Sequence, residues 1–70
     1  MKISARNSLK GVVKKVKIGY VSAEVSVEIV AGIVITAVIT KSSAKHLELE
    51  VGKEAYVVIK SSDVMVAIDD

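Results

Sequence analysis

"VSAEVSVEI", residues 21–29, alternates without a break. Val21, Ala23, Val25, Val27 and Ile29 fall on one side, and Ser22, Glu24, Ser26 and Glu28 on the other. A period of two marks a strand with one face buried and one in water. Val30-Ala31-Gly32 then reads as a turn, with Gly32 free to take a positive φ. Beyond it, "IVITAVIT" (33–40) is a second strand. Ile33, Ile35, Ala37 and Ile39 share one face, and Val34, Thr36, Val38 and Thr40 the other. Both faces are largely apolar, so this strand is expected to be covered on both sides, one of them by another subunit. Upstream, "SLKGVVKKVKIG" (8–19) reads as a strand from Leu9 to about Ile18. There Val12, Lys14, Val16 and Ile18 alternate against Val13, Lys15 and Lys17, and the exposed face is basic.

Downstream the character changes. "TKSSAKHLEL" (40–49) carries helix-start chemistry, with Thr40, Ser42 or Ser43 as the N-cap of one short helical turn. Gly52 marks the next turn, and "EAYVVIKSS" gives a strand from Glu54 to about Lys60. "SSDV" is a polar corner and "MVAI" (65–68) a short closing strand. Val and Ile dominate while Phe, Trp and Pro are absent, a composition that favours strands. The expected fold is all-β: five or six short strands with one helical turn, closed into a small OB-like barrel because closure removes exposed edges.

The chain has 70 residues, enough for one domain spanning 1–70. A domain this small is marginal alone and usually gains a disulfide, a metal or partner subunits. There is no cysteine, and His46 is the single histidine, so thiolate and imidazole-rich metal sites are not expected. Self-association remains, and it accounts for an apolar fraction of 51% and a mean hydropathy of +0.52. The longest apolar stretch, Ile29 to Ile39, falls short of the roughly 20 residues that a spanning helix needs. "MKISARN" places charge where the apolar core of a signal peptide would begin, so the cytoplasm is the expected compartment. The net charge of +2 suits anionic ligands in general and lacks the dense basic stripe of a nucleic-acid binder.

No catalytic constellation is visible. The serines have no histidine partner beyond His46, and the glycine-rich nucleotide motifs are absent. Glu24 and Glu28 read as the solvent face of a strand. A binding protein without catalytic residues is therefore expected. Three polar clusters are its raw material: Ser4, Arg6 and Asn7; Thr40, Ser42 and Ser43; and Lys60, Ser61 and Ser62. Arg6 is the single arginine. Each cluster taken alone is ordinary: an entry loop, a helix cap and a turn. Together they are rich in donors and poor in carboxylates, an inventory suited to a tetrahedral dianion such as molybdate, tungstate, sulfate or phosphate. A micromolar site needs about 8 kcal/mol. With roughly 1.5–3 kcal/mol from each charge-assisted hydrogen bond, five or six donors suffice and one cluster does not. The clusters must converge, within one chain or across an interface.

"SARN" at 4–7, "LKGVV" at 9–13, "GYVSAEV" at 19–25, "ITKSS" at 39–43, "LELEVG" at 47–52 and "VIKSSDVMVA" at 58–67 together resemble the molbindins, small molybdate-binding proteins of the TOBE class. The resemblance runs nearly end to end, and the pairing of "SARN" with "IKSS" is its most specific part. It implies an OB-like barrel, a homohexamer built as a trimer of dimers, and oxyanions held at subunit interfaces. It implies that Ser4, Arg6, Lys60 and Ser61 come from one subunit and Thr40 and Ser43 from a neighbour. It also implies a second oxyanion site, placed near Gly19, Tyr20, Val21 and Ser22. The role implied is storage and homeostasis of molybdate or tungstate, with no catalytic cofactor and no metal ligated directly by side chains. Two other readings compete. A single-stranded nucleic-acid binder needs stacking aromatics, and only Tyr20 and Tyr56 are available. A carrier of a molybdenum–pterin cofactor meets the same shortage.

Overall fold

The computed structural model describes residues 2–69. Four antiparallel strands form one curled sheet: β1 (Asn7–Ile18), β2 (Ser22–Val30), β3 (Ile33–Thr40) and β4 (Glu54–Ile59), in the order β3-β2-β1-β4. One short helix, α1 (Lys41–His46), lies between β3 and β4, and a 3-10 turn (Ser61–Asp63) follows β4. Among the described residues no helix is long and apolar enough to cross a membrane.

The alternating stretch follows its pattern within β2, but Val21, expected on the inner face, precedes the strand and is 78% exposed. Ala23, Val25 and Val27 point inward and are buried, while Glu24 lies outside. The core is small: Val13, Val25, Val27 and Val57, with Val16, Ile29, Ile35, Ile39, Leu49, Ala55 and Ile59 packed against it. Gly32 takes φ 85° in the β2–β3 turn, as its place after Ala31 predicts.

β1 departs from simple alternation. Its pairing with β2 slips between Val13 and Lys15, a β-bulge at Lys14. The extra residue shifts the phase, so Val13, fully buried, and Val16 both pack on the core, although an unbroken period of two would separate them. Lys14, Lys15 and Lys17 remain outside. β1 also begins two residues before Leu9, because Asn7 and Ser8 pair with Ile59 and Val58. On the outer face Lys10 meets Glu54 at 3.2 Å and Lys14 meets Glu28 at 3.6 Å. The hydrogen bond and charge of Glu54 hold the Lys10 ammonium above its ordinary value.

The strand count is four, not five or six, and the sheet is a half-barrel. "MVAI" forms no strand: Met65, Val66 and Ile68 are about nine-tenths exposed. The 3-10 turn leads the chain off the end of β4, so these residues find no ladder partner. Alternation identifies a segment fit for pairing but does not say which chain supplies the partner. β3 and β4 are consequently free edges. β3 offers eight residues without a charge or proline, and its outward Val34 and Val38 are half or more exposed. Natural edges of this kind are normally blunted or covered.

Candidate functional site

β1 and β4 build the site. Their ladder ends on the pair Asn7–Ile59, which sets the following residue of β4 and the preceding residue of β1 at one sheet corner. Those residues are Lys60 and Arg6. Ile3, Ser4, Ala5, Arg6, Val58, Lys60, Ser61 and Ser62 line one open cavity of about 600 Å³. Four of the expected anion-binding residues, Ser4, Arg6, Lys60 and Ser61, are thus brought together. Both cations are exposed, and no carboxylate among the described residues lies within 4.0 Å of either. Like charges held across a strand pair repel, so a corner with two cations and no acid is poised for an anion. No side chain caps the 3-10 turn at Ser61.

Thr40 and Ser43 lie elsewhere in the chain. Thr40 is the N-cap of α1: its hydroxyl accepts from the Ser43 N–H at 3.0 Å and donates to the Ser43 hydroxyl at 2.7 Å. Ser43 faces a separate hollow with Ser42, His46 and Leu47. Within one chain these residues do not share the Arg6–Lys60 cavity. The predicted second region is split as well. Gly19 and Ser22 line a cleft with Lys17, Ile18, Glu24 and Val38, while Tyr20 and Val21 face Lys41, Ser42 and Lys45. The Gly19 N–H already donates to the Ser22 carbonyl at 2.8 Å.

Another hollow, about 790 Å³, has Val16, Ile18, Leu49 and Val51 among its lining and carries Glu48 and Glu50 together with Lys45 and Lys53. Its carboxylates make it a poor place for a dianion. Sequence reasoning did not single out Val58 and Ile3 as walls of the Arg6 cavity. The signal for Val58 was present: strand alternation puts Tyr56, Val58 and Lys60 on one face.

The residues 3–66 match the model of the TOBE domain. The chain belongs to the TOBE domain family. A "probable molybdenum-pterin-binding protein" of Haemophilus influenzae is 48% identical over 69 residues, covering 99% of this chain and all of that one. MopII of Clostridium pasteurianum superposes with a TM-score of 0.90 at 46% identity, over 96% of this chain and 100% of that one. ModG, described as a cytoplasmic molybdate-binding protein and solved with molybdate bound, matches with a TM-score of 0.87 at 42% identity. That match covers 93% of this chain and 46% of ModG.

Proposed function

We propose that this chain is a single-domain, cytoplasmic, homo-oligomeric protein that reversibly binds molybdate, and tungstate with it, for storage and homeostasis. It performs no bond chemistry. The observation that carries the reading is the corner where Arg6 and Lys60, with Ser4 and Ser61, line one cavity free of carboxylates. Arg6 supplies a planar fork and Lys60 a point charge. Thr40 and Ser43 of a neighbouring subunit complete the donor set, because they are displayed on the same chain but away from that cavity. The printed descriptions of the relatives support the ligand, and that of ModG supports the compartment. Gly19, Tyr20, Val21 and Ser22 are proposed as a second oxyanion site, using main-chain N–H groups.

Selectivity follows from a lining of cations and hydroxyls without a carboxylate. Protonated phosphate brings an O–H that a hydroxyl must accept, and it carries less charge for the two cations, which costs binding. Sulfate is excluded by size alone. Calorimetric titration with molybdate, sulfate and phosphate tests the reading: tight binding of molybdate, weak sulfate and negligible phosphate are expected. Equal affinity for all three, or for none, overturns it. Native mass spectrometry, with and without molybdate, reports subunits and ligands together, with six subunits expected.

The exposed tail and the bare β3 edge support self-association, since a stable monomer rarely leaves so much apolar surface in water. Val66→Asp is therefore expected to shift the assembly toward monomer. A carboxylate forced into an interface costs about 3 kcal/mol or more, roughly a hundredfold in association. Sedimentation that shows an unchanged assembly would remove the tail from the interface. A pterin-carrying role is the second reading, favoured by the description of the Haemophilus relative. Tyr20, fully exposed beside Lys41 and Lys45, is the ring available to it. An absorbance band from bound pterin in the purified protein would decide for it. Nucleic acid is disfavoured: only Tyr20 and Tyr56 are available to stack bases, and Lys14 of the basic face is already paired with Glu28.

A further inference from the structure

We infer that Asn7 is a positioning residue for the anion corner, a side-chain rung that holds Arg6 and Lys60 opposite one another before the ligand arrives. The inference rests on the anion reading of that corner given above.

Asn7 stands in the polar cluster with Ser4 and Arg6, yet it does not line their cavity. Its amide Nδ2 instead crosses the strand gap and donates to the carbonyl of Ile59 at 3.4 Å. Asn7 and Ile59 are the last register pair of the β1–β4 ladder. Just beyond this last pair lie Arg6 and Lys60, which line one cavity. Directly opposed like charges destabilise a strand pair, and ladder ends are where strands open most readily. The free protein therefore brings two like charges to the open end of this ladder. β4 is an edge strand with no neighbour on its far side, so nothing else in the sheet holds that end. A half-buried amide spanning the gap adds the missing restraint. A bound dianion would supply the same restraint by neutralising the pair. Asn7 thus lowers the ordering cost of binding while making no contact with the ligand.

The test uses the full-length protein, with sodium molybdate as the probe. Asn7→Ala is expected to bind molybdate about tenfold more weakly, the effect of one lost hydrogen bond, with its subunit count unchanged. Amide hydrogen exchange at Asn7 and Ile59, the terminal rung, should be faster in the free variant and return to the wild-type rate at saturating molybdate. Asn7→Asp keeps the shape, lacks the donor and turns a carboxylate toward the Ile59 carbonyl. It should lose at least as much affinity as Asn7→Ala. Affinity losses that simply track melting temperature, with no local change in exchange, would make Asn7 an ordinary strand contact and overturn the inference. So would an Asn7→Ala variant that binds like wild type while Arg6→Ala does not. A wild type that takes up no molybdate overturns the anion reading itself, and this assignment with it.

Discussion

Arg6→Ala is expected to weaken molybdate binding by roughly a hundredfold. The guanidinium is exposed and has no carboxylate partner among the described residues, so in the free protein it stabilises nothing that its removal would cost. Its fork offers two charge-assisted hydrogen bonds at about 1.5 kcal/mol or more each. Their loss is about 3 kcal/mol, or two decades in affinity. Arg6→Lys separates charge from geometry: it keeps the cation, loses the fork, and should recover part of the affinity. Calorimetry on both variants is the measurement, with thermal melting as the control. Melting should move little, since no packing is lost. A variant that binds normally would take Arg6 out of the site. A variant that fails to fold would contradict the exposed, unpaired position of the side chain.

How much of this was legible beforehand depends on whether the deciding contact is local. The β2 alternation and the turn at Ala31-Gly32 are set within a few residues and read directly from sequence, as does the helix start, although its cap stays open among Thr40, Ser42 and Ser43 until the structure gives Thr40. The phase of β1 does not, because a bulge at Lys14 is invisible to a count of alternating positions. The tail fails for a related reason. "MVAI" has strand chemistry, but a ladder needs a partner, and the 3-10 turn carries these residues away from the chain's own edges. The site lies between these cases. Donor types were readable at Ser4, Arg6, Lys60 and Ser61, while their convergence follows from a register that joins residues 52 apart in the chain. Thr40 and Ser43 were readable as donors too, but one chain does not bring them to that cavity. The apolar fraction of 51% reads as buried subunit interface, and the exposed Val34, Val38, Met65 and Val66 are the surface that such an interface would cover.

The largest effect on stability is expected at Gly11. This glycine is buried in the middle of β1, beside Val12, which pairs with both Glu54 of β4 and Glu28 of β2. The strand curls here so that one sheet wraps around the core. A Cβ at this position would lie 2.5 Å from the Glu28 carbonyl oxygen, 2.8 Å from Cγ1 of Val27 and 3.0 Å from the Glu28 carbonyl carbon. Val27 is itself a core residue, and Glu28 is held in register on both sides, opposite Val12 and Val34. Neither can withdraw without opening rungs or moving the core. The requirement is for close approach of two backbones. Overpacking of this kind costs about 3 kcal/mol. A 70-residue domain holds only about 4–10 kcal/mol in total, so Gly11→Ala removes a large share of it. Urea unfolding should show a lower midpoint with an unchanged slope. Molybdate at saturation should raise that midpoint in the variant as it does in wild type, because the anion corner is untouched. A Gly11→Ala protein with the wild-type midpoint would mean that β1 and β2 lie further apart than this geometry has them.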